Sequence, residues 1–202
     1  MQYSVIIPTY NERENLPIVV YLITKAFKSI GEESFEIIVV DDSSPDGTYA
    51  VAKKLQNVFK DKIVLLSREG KLGLGSAYIF GLKQAQGQFV FILDADLSHH
   101  PSAIPEMIRV QKTKKYDIVS GTRYLQGGGV CGWKWTRRLT SAGANVVAGV
   151  ALGQASSDMT GSYRLYKRSV LMEILPQVKA RGFTFQMEII VRAAHKGYTI
   201  GE

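Results

Sequence analysis

Short apolar runs rich in Val, Ile and Phe alternate along the chain with longer stretches of helical periodicity. The runs predict strands over 3–8, 35–41, 62–66, 88–94 and 117–122, and the stretches between them predict helices over 14–29, 48–59, 75–86 and 102–115. Each strand run is apolar without alternation, as expected of strands covered on both faces. Strict strand–helix alternation at this spacing predicts an α/β fold with a mainly parallel central sheet and helices on both faces.

Beyond Arg123 the pattern changes. A Gly-rich loop over 126–132 leads into an apolar and basic helix over 133–152, followed by a short strand over 162–167 and two more helices. Residues 198–202 read as the opening of another strand, so the ending looks unfinished. No internal repeat, low-complexity tract or linker divides the chain, and 1–202 reads as a single domain.

Composition narrows the classes. With 46% apolar and 21% charged residues the chain can form a sizeable core, which argues against disorder. The net charge of +7 is local: eight basic residues and one acid lie between Arg109 and Arg138, while the rest of the chain is balanced. Such a patch predicts an anionic partner, and nucleic acid, a membrane surface and a phosphorylated substrate all fit it. The single cysteine, Cys131, excludes an internal disulfide framework. No apolar stretch reaches the ~18 residues of a spanning helix, and the N-terminus lacks a signal-like pattern. The chain therefore reads as cytosolic or as lying against a membrane.

Ligands of open parallel sheets bind at the carboxyl ends of the strands. Three such ends carry acids: Glu12 after the first strand, Asp41 and Asp42 after the second, Asp94 and Asp96 after the fourth. Gathered at one edge they repel, and a hard divalent cation, Mg²⁺ or Mn²⁺, is the simplest remedy. Asp46 and Thr48 read as turn and cap chemistry, whereas Asp41, Asp42, Asp94 and Asp96 read as functional. His99 and His100 read as loop residues rather than zinc ligands. Lys71 opens a Gly-rich loop at a helix start, where free amides can meet an anion. The Walker and dinucleotide-binding patterns are both missing.

Seven segments then combine: PTYNERENLP (8–17), VVDDSSPDGT (39–48), KLGLGSAY (71–78), DADLSHHP (94–101), IVSGTRY (118–124), DMTGSYRLYK (158–167) and FTFQMEIIVRA (183–193). In this order they resemble the dolichyl-phosphate mannose synthases, inverting glycosyltransferases of the GT-A fold. The resemblance covers essentially the whole chain. It implies that Pro8, Tyr10, Glu12, Val40 and Asp42 line a guanosine site, with Lys71 joining the nucleotide-sugar residues. It also implies that Asp94, Ala95 and Asp96 hold diphosphate and metal, that Ser98 stands where relatives carry a Gln ligand, and that Arg123 meets phosphate. Members of the family continue with a strand and a basic closing loop beyond the point matching Glu202.

The implied reaction moves mannose from GDP-mannose to dolichyl phosphate, with inversion and with Asp96 and Arg123 as catalytic residues. A phosphate monoester has a second pKa of about 6, so this acceptor attacks as a dianion without a general base. Arg123, Arg137, Arg138 and Ser141 are the candidates for orienting it. Trp133 and Trp135 beside Lys134, Arg137 and Arg138 suit an anionic membrane interface, and an ordinary core helix with a basic edge fits equally. The resemblance further implies the cytoplasmic face of the endoplasmic reticulum membrane and small anchoring subunits, with no nucleic-acid partner. Two alternatives stand beside this reading: glucose transfer from UDP-glucose to dolichyl phosphate, and an inactive nucleotide-sugar-binding protein.

Overall fold

The computed structural model describes residues 1–123, 156–180 and 184–202. Strands β1 (Tyr3–Thr9), β2 (Phe35–Asp41), β3 (Ile63–Ser67), β4 (Phe89–Ile92), β5 (Ile118–Ser120), β6 (Arg164–Lys167) and β7 (Ile200–Gly201) form one sheet. Helices α1 (Asn15–Ser29), α2 (Thr48–Phe59), α3 (Leu74–Leu82), α4 (Ile104–Lys114), α5 (Arg168–Ile174) and α6 (Thr184–His195) flank it. The strand order is β3-β2-β1-β4-β6-β5-β7. All pairings are parallel except those of β6, which runs antiparallel to both β4 and β5.

The uniform apolarity of the central runs has a direct cause. Along β1, Tyr3, Val5 and Ile7 enter one core with α1 and α4, and Ile6 enters a second core with α3, α5 and α6. Along β2, Phe35, Ile37 and Val39 face the first core, and Ile38 and Val40 the second. Period-two alternation thus sorts apolar residues between two apolar cores. β3 departs from the expectation: it is the edge strand, so only Ile63 is buried and Ser67 is exposed.

Several boundaries differ from the sequence reading, among them those of the third helix and of the third and fifth strands. The third helix ends at Leu82 rather than 86: Gln84 and Ala85 N–H still reach back to Gly81, and the groups after them go elsewhere. Gln86 N–H donates to Glu36 Oε1 (2.7 Å) and Gly87 N–H to Ser4 Oγ (2.8 Å), and the Ser4 hydroxyl itself donates to Glu36 (2.6 Å). A Cβ at Gly87 would lie 2.5 Å from the Ser4 nitrogen, so only glycine passes there. β5 is three residues long rather than six, and Lys62 belongs to a 3₁₀ turn ahead of β3. The strand expected at 198–202 is β7, and the helix expected over 133–152 lies outside the described residues.

Reversal of β6 shapes the site. Its neighbours β4 and β5 end at the carboxyl edge, whereas β6 begins there. Residues leading into β6, from Asp158 to Tyr163, are thereby delivered to the same edge as Asp42, Asp94 and Arg123.

Candidate active site

Two corners form at this edge. In the first, β1 and β2 end side by side, with Pro8 opposite Val40 and Thr9 opposite Asp41. Tyr10 is 38% exposed, and Lys71 Nζ sits 4.4 Å from its ring centroid, so two predicted nucleotide residues share one contact. The Glu12 carboxylate accepts from Asn15 Nδ2 at 2.8 Å. Val40 contributes only backbone, because its side chain is fully buried toward α3.

The two acids after β2 separate in role. Asp41 is fully buried and accepts from the Thr9 hydroxyl (3.0 Å) and from Ser44 N–H (3.1 Å) and Oγ (2.6 Å). It ties the first two strand ends together, which corrects the functional reading of that residue. Asp42 makes a bidentate pair with Arg68 at 2.6 and 2.5 Å, both side chains being buried. Arg68 also reaches Ser76 Oγ (2.6 Å). The cation at this strand end is thus a side chain that the sequence reading missed, and the argument for a metal shrinks to the Asp94–Asp96 corner. A lone Arg after the third strand, in Ser67-Arg68-Glu69, was the available signal. Asp46 accepts from Thr48 N–H and Oγ and from Arg13 N–H, the loop role expected of it. The Thr48 hydrogen bonds hold its carboxyl below the usual range.

The glycines after Lys71 also have another explanation than anion approach. Gly73 has φ +93°, and a Cβ on Gly75 would lie 2.5 Å from the Phe185 ring. One serves the turn and the other the contact of α3 with α6.

In the second corner, Asp94 is held at both oxygens. Tyr78, from α3, donates to Oδ1 (3.0 Å), and Ser162, ahead of β6, donates to Oδ2 (2.8 Å). Burial, then the charge of Asp94, pushes the Tyr78 hydroxyl well above its ordinary value, so it remains a donor. His99 accepts the Asp94 N–H at Nδ1 (3.2 Å) and stacks on Tyr163. Burial pushes its pKa down against the pull of Asp94, which keeps the ring neutral. This agrees with the loop role expected of His99, and His100 Nδ1 accepts from Ser102 N–H (3.3 Å) at the start of the next turn. Ala95 is buried, and Asp96 is exposed with one oxygen on Ser98 N–H (2.9 Å).

Asp94, Asp96 and the Ser98 hydroxyl are hard oxygen donors only. No cluster of three or more His, Cys, Asp or Glu stands ready for a metal among the described residues. That donor set suits Mg²⁺ or Mn²⁺ arriving with phosphate oxygens, since such ions take one or two carboxylates and complete their shell from the substrate.

Arg123 follows β5 and donates to Asp158 through Nε (2.6 Å) and Nη2 (2.7 Å), and to Thr160 Oγ1 (2.7 Å). The Asp158 side chain is 1% exposed and that of Arg123 25%. Burial disfavours the Asp158 charge, and the Arg123 hydrogen bonds and charge outweigh it, leaving the carboxyl below the ordinary range. Arg164, fully buried, supports this loop by donating to the carbonyls of Asp158 and Met159. Sequence reasoning missed Asp158, Tyr78 and Ser162, because their importance depends on the reversed direction of β6 and on the helix face of α3. Arg137, Arg138 and Ser141 lie outside the described residues.

Three of the turns at this edge are strained. Asn11, Ser43 and Leu97 have φ of 62°, 53° and 63°, each beside a candidate residue.

The profile of glycosyl transferase family 2 matches residues 4–175. The polyprenol monophosphomannose synthase of Mycolicibacterium smegmatis is 39% identical over 98% of this chain and 74% of its own length. The dolichol-phosphate mannosyltransferase of Pyrococcus furiosus is 37% identical over 96% of this chain, which spans only 54% of that relative. Among solved structures, a mannosyltransferase of Pyrobaculum calidifontis, in complex with GDP-Man and Mn²⁺, superposes with a TM-score of 0.69 at 23% identity, covering 99% of this chain and 54% of that one. Glucosyl-3-phosphoglycerate synthase of Mycobacterium tuberculosis, with Mg²⁺ and UDP, superposes with a TM-score of 0.73 at 19% identity over 99% of this chain and 68% of that one. These two likenesses establish the shared fold.

Proposed function

The chain belongs to glycosyl transferase family 2, and from that premise we propose that it transfers mannose from GDP-mannose to a polyprenyl phosphate of the dolichyl type. The names of the bacterial and archaeal relatives support the sugar and the acceptor class. Donor and cation of this kind are named together for the Pyrobaculum structure.

One observation on this chain carries the reading. Both carboxylate oxygens of Asp41, Asp42, Asp46, Asp94 and Asp158 accept hydrogen bonds from the chain itself. Glu12, Asp96 and Glu202, which follow β1, β4 and β7, each keep an oxygen without such a partner. Asp158, beside Arg123, and Asp94 thus have no oxygen free to act as a general base toward a hydroxyl. An acceptor that is already an anion needs none.

In this reading Tyr10 and the Asp42–Arg68 pair hold the nucleoside. Asp94 and Asp96 would hold a divalent cation, which when bound offsets the charge growing on the departing diphosphate. Arg123, fixed by Asp158, would orient the acceptor phosphate. An acceptor oxygen forms the new bond to the anomeric carbon as the bond to GDP breaks on the opposite face, and an α-linked donor yields a β-linked lipid phosphate. Arg137, Arg138 and Ser141 complete the acceptor side of the proposal.

No described helix is long and apolar enough to cross a membrane. The lipid acceptor itself calls for work at a membrane surface, and the basic segment around Lys134 is proposed to meet it. The two curated relatives come from a bacterium and an archaeon, cells without an endoplasmic reticulum, so the proposal names a membrane surface and no organelle.

Radiolabelled GDP-mannose and UDP-glucose, each incubated with dolichyl phosphate with and without Mn²⁺, test this directly. Cation-dependent label in the lipid fraction from GDP-mannose is expected. Label from UDP-glucose alone would shift the reading to glucose transfer, and donor binding without lipid product would reduce the protein to a nucleotide-sugar binder.

A further inference from the structure

Asp94, His99 and Ser162 are the residue types of a hydrolytic triad, yet their hydrogen bonds run the opposite way. In a triad the carboxylate accepts from the imidazole, and the imidazole accepts from the hydroxyl. Here the Asp94 main-chain N–H, which can only donate, points at His99 Nδ1 at 3.2 Å. Nδ1 is therefore the unprotonated nitrogen, and the proton of the neutral ring sits on Nε2. Nε2 lies 3.3 Å from Ser162 Oγ. The single hydroxyl proton of Ser162 is already directed to Asp94 Oδ2 at 2.8 Å, so Oγ accepts from Nε2.

The result is a closed ring: Asp94 backbone to His99, His99 to Ser162, Ser162 to the Asp94 carboxylate. Every donor and acceptor direction in it is consistent. Because Ser162 Oγ has no spare proton and His99 Nδ1 has no spare lone pair, neither serves as nucleophile or base. His99 is 17% exposed and stacks on Tyr163 with ring centroids 5.3 Å apart, so its orientation is fixed from a second side.

We propose that His99 and Ser162 are positioning residues which, through this ring, hold the Asp94 carboxylate in the one orientation that serves its metal–diphosphate role. The proposal rests on the reading of Asp94 as a ligand of that group. The ring makes the rotamer of Asp94 a consequence of its own backbone position, through the turn from Asp94 to His99 that contains the strained Leu97. Tyr78 fixes the other oxygen independently, from α3. Partners of this kind, one shell out from a ligand, typically change metal affinity 10–100-fold when removed.

The test measures Mn²⁺ affinity in the presence of GDP, by electron paramagnetic resonance of free Mn²⁺, on the full 202-residue chain. Ser162→Ala and His99→Asn are each expected to weaken Mn²⁺ about tenfold. The combination should weaken it no further than either alone, because each change opens the same ring. Ser162→Thr, which keeps the hydroxyl, should restore affinity. Unfolding midpoints recorded alongside separate this from general loosening, since a structural role alone leaves Mn²⁺ affinity of the folded protein unchanged. Additive losses in the double variant, or less than a twofold change in Ser162→Ala, overturn the ring. Asp94→Asn is the control for the parent reading: if it retains Mn²⁺, that reading fails, whereas its loss of Mn²⁺ beside unaffected ring variants sinks the ring alone.

Discussion

Replacing Asp158 by Asn separates an anchored arginine from an ordinary surface pair. The side chain keeps its size and loses its charge, and an amide N–H₂ comes to face the Arg123 guanidinium in place of an acceptor. Asp158 is 1% exposed and accepts from Arg123 Nε and Nη2 and from Gly161 N–H. Breaking a buried pair by removing one member costs about 3–5 kcal/mol. Arg123 is 25% exposed and can recover some hydration, so the low end applies, about 3 kcal/mol. For a chain of this size that is a fall of about 6–12 °C in Tm. A cycle of Asp158→Asn, Arg123→Met and the double variant, followed by urea unfolding, should give a coupling energy of about 2 kcal/mol or more. The effect should also fade in acid. The folded Asp158 carboxyl lies below its ordinary value of 3.8, so its contribution is present above that value and is lost as pH falls through the folded pKa. Parent and Asp158→Asn stabilities should therefore converge below about pH 4. A coupling energy near zero with a Tm shift under about 2 °C would return the pair to the surface class and refute the anchoring of Arg123.

Asp96→Asn should abolish turnover while weakening GDP binding less, as calorimetry and the radiolabel assay can show together; full activity in excess EDTA would contradict the cation role. Arg123→Lys keeps the charge but loses the two-pronged contact with Asp158, and turnover should drop at least tenfold, whereas Lys115→Ala should leave it nearly unchanged. Gly75→Ala drives a Cβ to within 2.5 Å of the Phe185 ring, and a loss of about 1–3 kcal/mol is expected. Urea titration should show most of that loss relieved in a Phe185→Leu background.

The sheet was readable because its central strands are buried on both faces, and runs such as Val5-Ile6-Ile7 carry that burial in their composition. Positions of Asp42, Asp94, Asp96 and Arg123 were readable for a related reason: they lie within a few residues of strand ends, where parallel sheets place ligands. What these residues touch was not readable. Arg68 meets Asp42 across 26 residues of sequence, and Ser162 meets Asp94 across 68. Both contacts depend on strand order, and the second also on the reversed β6, which periodicity does not reveal. Asp41 misled because adjacency to Asp42 suggested a shared role, although alternating residues at a strand end point in opposite directions.

The left-handed turns at Asn11, Ser43 and Leu97 bear on how this protein would respond to selection. A side chain other than glycine in that backbone region costs about 1–2 kcal/mol, and Leu97 lacks the short polar side chain that softens the cost at Asn11. Glycine suits the backbone at 97 but strips away a Leu side chain that packs against the core, so a library screened for thermal resistance should keep Leu there. The change would also loosen the turn that carries Asp96. Lys115 has the same backbone hand at the end of α4, far from the sheet's carboxyl edge, with φ 60° and ψ 25°. Glycine there should raise thermal tolerance without cost to turnover. Turns of the same hand then have opposite evolutionary value: open ground for stabilisation at 115, and at 97 a position held by its packing and by the turn that carries Asp96.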